Sequence, residues 1–194
     1  MDTGAMAIIY RANLVPDKPT LLQTWLDRQS WVDEGPGQIL GAYRFDDPDG
    51  KVGVEVFLIR RGRQLLHVPL TYRGEPLTGG EKHLVGTVEH SVLGTRWVYD
   101  GAEDEAAVAC FRRALTGEQE QAELQIWDED RLVEIEQQQV VISWHTDAGG
   151  ARNGVDQNTE AETVIPRVLG EEINGKAQLL ARWGEEQAVV AALI

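Results

Sequence analysis

The sequence predicts an α+β fold in which two amphipathic helices pack on an antiparallel sheet and a β-rich meander module follows. Three observations predict it. Apolar residues recur at helical spacing through 18–32 and 102–116, they move to every second position through 38–73, and almost everything after Gly117 reads as short strands between turn residues. Of the 194 residues 42% are hydrophobic, enough for one good-sized core or two small ones packed together, which excludes disorder along the whole chain.

The first helix has a marked start. The Asp17 side chain can accept hydrogen bonds from free amides, Pro19 fits the first turn, and Leu21, Leu22, Trp25 and Leu26 fall on one stripe. The helix stops at Gly35-Pro36-Gly37, which cannot continue it. Period two then places Val52, Val54, Val56 and Leu58 on one face of a strand and Leu66, Val68, Leu70 and Tyr72 on one face of the next. The breaks, DDPDG at 46–50 and Arg61-Gly62-Arg63, are turn chemistry. A helix followed by this three-stranded meander gives a sheet able to wrap the helix.

Residues 73–80 read as a loop and 84–99 as extended chain interrupted by Gly86 and Gly94. The second helix carries acids at its start (Glu103, Asp104, Glu105), read as a solvated helix end, and Arg112 and Arg113 at its finish. Val108, Phe111 and Leu115 form its buried stripe, with Cys110 as a small apolar residue, and Gly117 ends it. Strands are expected at 122–127, 132–135, 140–145, 164–169, 177–183 and 187–193. Asn174-Gly175 marks a hairpin between two of them, and 148–159 is a polar, glycine-rich loop. The expected organisation is a first domain over 6–117 and a C-terminal module over 118–194, the two able to share one core. Met6-Ala7 reads as a natural start, with 1–5 an added extension.

Composition excludes several function classes. With 18 basic and 32 acidic residues the net charge is −14, so nucleic acid is repelled. One cysteine forms no intrachain disulfide, and the apolar run 6–10 is too short for a signal h-region or a membrane helix, so the expected location is the cytoplasm with no membrane partner.

Candidate chemistry is sparse. His145 and Asp147 followed by Asn153 match the spacing at which kinases place a catalytic base and a magnesium ligand, with Asp156 a further candidate ligand. The match lies between expected strands instead of on a helical scaffold, which favours a solvated polar loop. Glu89 and His90 are adjacent on a strand, so their side chains point to opposite faces and form no direct acid/base pair. His67 and His83 read as isolated, and no histidine, cysteine and carboxylate cluster has zinc spacing. The DDPDG run fails the EF-hand pattern, and the Gly-Gly pairs fail the Walker order. Trp25, Trp127 and Trp144 read as core. Arg96, Trp97 and Asp100 make a mixed aromatic and charged surface which, with Glu89 and His90, is the candidate partner or ligand surface. No residue is assigned a catalytic or metal-binding role.

The strings VPLTYRGEPL (68–77) and LVGTVEHSVLGTRWVYDG (84–101), preceded by a Trp-bearing helix and GVEVFLIRRG (53–62), resemble the N-terminal cap of the actinobacterial maltokinase and glucosamine kinase family over residues 18–116. That resemblance implies a cystatin-like cap, a sheet curling around a helix. RVLG at 167–170 is faintly similar to the turn that opens the kinase N-lobe, but the strand bearing the family's ATP-contacting lysine reads LLARW here (179–183), and the helical lobe with the catalytic aspartate and metal ligands does not follow. The resemblance therefore implies a non-catalytic binding or regulatory protein without a cofactor, associated with trehalose, maltose or glycogen metabolism. Its expected partners are a carbohydrate-metabolism enzyme or a kinase lobe, with a second copy of the chain as a further candidate. The alternative is a degenerate or split sugar kinase that retains ATP-magnesium or sugar binding through the His145 pattern.

Overall fold

The computed structural model describes residues 6–10, 13–128, 131–146 and 161–194. Its strands are β1 Met6–Tyr10, β2 Leu14–Val15, β3 Gly37–Asp46, β4 Val52–Arg61, β5 Gln64–Arg73, β6 Leu84–His90, β7 Gly94–Asp100, β8 Glu123–Asp128, β9 Arg131–Glu136, β10 Val141–His145, β11 Thr163–Val164, β12 Val168–Leu169, β13 Ala177–Trp183 and β14 Glu186–Leu193. The helices are α1 Lys18–Leu26 and α2 Glu105–Leu115. Pairing is antiparallel except for β1 beside β8, so the molecule is an α+β protein built mostly of antiparallel sheet. Among the described residues no helix is long and apolar enough to cross a membrane.

The largest sheet runs β2-β6-β7-β5-β4-β3, with β12 added beside β5. Its central meander follows from the turns: Gly50 (φ +66°) and Gly62 (φ +57°) supply the left-handed conformations that close β3 onto β4 and β4 onto β5. Alternation then divides the core in two. Phe57 and Ile59 of β4 and Leu66, Val68 and Leu70 of β5 meet Leu21, Leu22, Trp25 and Leu26 of α1. Val52, Val54, Val56 and Leu58 turn the other way, to Phe111 and Leu115 of α2 and to Leu179, Ala181, Val190 and Leu193 of the C-terminal strands. Strands buried on both faces carry apolar residues at nearly every position, as β4 does.

The first helix is shorter than its sequence pattern. It starts as expected, with Asp17 accepting from the Thr20 amide at 2.9 Å, but ends at Leu26 and not at 32. Buried Arg61 accounts for the early stop: its guanidinium takes Asp27 Oδ1 at 2.6 Å and the Asp33 carbonyl at 2.6 Å. The segment between folds back so that Trp31 meets Trp25 edge-on, 6.2 Å between centroids. The local apolar stripe carries no trace of this long-range demand.

The C-terminal strands are distributed over three sheets. β1, β8 and β9 form one, β10-β13-β14-β11 another, and β12 joins the largest. The expected strand over 164–169 is broken at Pro166, which has no amide to donate, leaving β11 on β14 and β12 on β5. Asn174-Gly175 closes no hairpin, because β12 pairs with β5 while β13 pairs with β10 and β14. Gly175 serves close approach instead, since a Cβ there would stand 2.7 Å from the Leu193 carbonyl oxygen. The hairpin turn of this region is at Gly184 (φ +54°), between β13 and β14.

Phe111 joins these layers, fully buried and edge-on to Phe45 at 5.3 Å and to His67 at 5.8 Å. Phe111→Ala is expected to cost about 3–5 kcal/mol in urea denaturation; a loss below about 1 kcal/mol would contradict the packing described.

Candidate functional site

The β6–β7 hairpin presents the segment that the sequence points to. Gly94 (φ +73°) closes it, and His90 Nδ1 accepts from the turn amides of Val92 at 3.2 Å and Leu93 at 3.1 Å. Nδ1 is therefore bare and the ring proton sits on Nε2. Partial burial, with the charges of Arg96 and Lys18, holds His90 below the usual histidine range. The turn it braces carries Val92 and Leu93 into solvent, 55% and 45% exposed. Glu89 accepts from Thr95 Oγ1 at 2.8 Å. Arg96 is half-buried and lies over the chain after β5, its guanidinium 2.7 Å from the position a Cβ on Gly74 would take. Trp97 is half-buried on β7, in register with Thr87 and Arg73.

Asp100 occupies a different environment. It is buried, caps the Ala102 amide at 3.2 Å and pairs with Arg167 at 2.7 Å. Arg167 also reaches Glu103 at 3.1 Å and lies over the Trp31 ring, 5.3 Å from its centroid. The structure thus keeps Glu89, His90 and Arg96 about the hairpin and turns Asp100 inward, to hold the C-terminal segment.

Behind it lies a buried polar centre. His67 is fully buried, with Nδ1 2.9 Å from the Pro166 carbonyl oxygen and Nε2 2.7 Å from the Tyr43 hydroxyl. A carbonyl only accepts, so Nδ1 carries the proton and Nε2 accepts from Tyr43. Burial pushes His67 down to about 4 and the Tyr43 hydroxyl well above its ordinary range. His67 is therefore not isolated, as the sequence had suggested. The signal lay in β5, where His67 and Thr71 alternate with Leu66, Val68 and Leu70, polar groups on the second face of a strand whose two sides are both covered.

Asp104 is a second correction. It is not a solvated helix end but 1% exposed: besides capping the Ala106 amide at 3.0 Å it accepts from Thr71 Oγ1 at 2.7 Å and from Arg73 at 2.8 and 2.6 Å. Burial opposes its ionisation, but the Arg73 and Thr71 hydrogen bonds outweigh that and hold its carboxyl below the usual range.

The kinase-like pattern is only partly within the described residues. His145 is exposed on β10, its Nε2 3.0 Å from Ser143 Oγ, while Asp147, Asn153 and Asp156 lie outside them. Among the described residues no group of three or more histidine, cysteine or acidic side chains is placed to hold a metal. Trp25 is buried in the α1 core, and half-buried Trp144 donates to the Leu115 carbonyl at 2.6 Å; the Trp127 side chain lies outside the described residues. A cavity of about 310 Å³ opens beside Trp144, but its glutamines are occupied: Gln121 with Val140 and Ile142, Gln119 with Asp46 and Arg113, Gln138 with Ala122.

Residues 25–104 match the family model described as the maltokinase N-terminal cap domain. The matched segment, less than half of the chain, is similar to that cap domain and takes in the end of α1, strands β3–β7 and the Asp104 cap. No curated protein and no solved structure matches the chain.

The buried imidazole makes stability depend on pH. An unfolded histidine takes its proton near 6.5, whereas native His67 resists to about 4, so its contribution is complete above pH 6.5 and is lost as pH falls through that window. The expected loss is about 3 kcal/mol by pH 4. Urea denaturation at stepped pH checks it: His67→Gln should flatten this part of the profile, and an unchanged slope would refute the assignment.

Proposed function

We propose that this maltokinase-cap-like chain is a non-catalytic module that binds or regulates an enzyme of trehalose, maltose or glycogen metabolism, a kinase lobe being the foremost partner. The observation that carries this reading is the cap-domain match over residues 25–104. In it the sheet wrapped on α1 acts as a cystatin-like cap in the cytoplasm and needs no cofactor. The β6–β7 hairpin is the surface of choice. Val92 and Leu93 form an apolar tip that a partner can desolvate, and Arg96 and His90 beside it offer donors.

Two measurements test the proposal. Calorimetric titration of the whole chain with magnesium-ATP, maltose or glucosamine should give no binding heat; tight ATP binding would overturn the non-catalytic reading. Capture from the native host with the whole chain should enrich a carbohydrate-metabolism enzyme. Leu93→Asp should weaken that capture at least about tenfold, a change of about 1.4 kcal/mol. Enrichment of no such enzyme, or equal capture by the variant, would count against the proposed partner and surface.

A further inference from the structure

Part of the β6 edge of the largest sheet has no strand partner among the described residues. On its inner side β6 pairs with β7 from Leu84 to His90, but on its outer side β2 covers only Glu89 and His90. The Ser91 amide donates outward to the Asn13 carbonyl at 3.0 Å, and alternate residues of a strand turn their backbone groups the same way. Thr87 therefore directs its N–H and C=O to the outer side, where no strand meets it among the described residues. Elsewhere chain segments cover such edges: the Ala122 amide bonds the Arg44 carbonyl on β3, and the Gln121 side chain bonds Val140 and Ile142 beside β10.

We propose that the Leu84–Val88 edge of β6 pairs antiparallel with the same edge of a second copy, across a two-fold axis near Gly86. Several features fit a second copy. The window is bounded at its far end by β2 and at its near end by the 3-10 turn Glu81–His83, where the extended conformation of β6 ends and no edge continues against the β2 of the second copy. Antiparallel pairing brings the exposed Lys82 of each copy to the end of the window where the exposed Glu89 of the other stands, twice over, a local attraction between two bodies of charge −14 that otherwise repel.

Exposed apolar side chains lie at the two ends of the window. Val15, 67% exposed, stands opposite Glu89 on β2, and Leu84 is 39% exposed where a bulge against β7 turns its neighbour Val85 into the α1 core. Antiparallel pairing sets Val15 of each copy beside Leu84 of the other. A contact this short gives a weak dimer, with a dissociation constant in the range of about 1–100 μM.

Sedimentation velocity of the whole chain over about 1–300 μM tests the proposal. The expected result is a reversible monomer–dimer equilibrium. Thr87→Pro, which removes the outward donor, and Val15→Glu/Leu84→Glu, which sets like charges together, should each raise the dissociation constant at least tenfold while circular dichroism and the melting temperature confirm folding. If proline unfolds the chain, the charge variant decides. Leu93→Asp should leave the dimer unchanged, so failure of the partner-binding proposal and failure of this one are distinguishable. A monomer at every concentration would overturn the proposal, as would a dimer that folded edge variants leave intact; the first would leave the edge to an extended segment of another protein.

Discussion

β4 and β5 are covered on both faces, by α1 on one side and by α2 with the C-terminal strands on the other, and most of the structure follows from that double burial. A strand in this position has no solvent face on which to put polar groups. Those it carries must find partners inside the protein. Glu55 takes Lys18 at 2.7 Å, Thr71 takes Asp104, and His67 takes Tyr43 and Pro166. Each pairing ties the central sheet to a different element, so polar groups that would be costly alone fix how the layers sit.

The attachment of the C-terminal segment is the clearest case. β7 pairs with β5 only from Leu70 to Arg73, because beyond Asp100 the chain turns into α2. The remaining edge of β5 is taken at Leu65 and Leu66 by β12. The residues that fasten this strand surround it: the His67 amide donates to the Arg167 carbonyl at 2.9 Å, the His67 ring takes Pro166, and Arg167 reaches back to Asp100, Glu103 and Trp31. The cap-like segment ends at 104, yet its sheet is completed by residues more than sixty positions later. That completion places Asp100 in the interior and leaves the turn of the β6–β7 hairpin, at the other end of β7, as an exposed part of the same segment.

What the sequence revealed was local. The period-two faces of β4 and β5, the Gly50 and Gly62 turns, the Asp17 cap and the burial of Phe111 and Leu115 on α2 all depend on neighbours a few residues away, and each is where the pattern puts it; Val108 is only half-buried, and Ala107, Cys110 and Ala114 complete the buried face of that helix. What it concealed depends on distant partners. The early end of α1 is set by Arg61, the split of the expected 164–169 strand by two sheets competing for its halves, and the absence of a hairpin at Asn174-Gly175 by flanking strands that pair elsewhere. At the candidate site the same division holds. The opposed side chains of Glu89 and His90 were legible from strand geometry; the burial of Asp100 was not, because its partner Arg167 lies far along the chain.

The central claim is that the cap-like sheet and the strands after residue 118 share one core through α2, Pro166 and Arg167. Native-state hydrogen exchange tests it most directly, by comparing amides of β4 and β5 with those of β13 and β14. A shared core predicts that both groups open with the same free energy, that of global unfolding. Opening of the C-terminal strands at a much lower free energy, with β4 and β5 still protected, would contradict it.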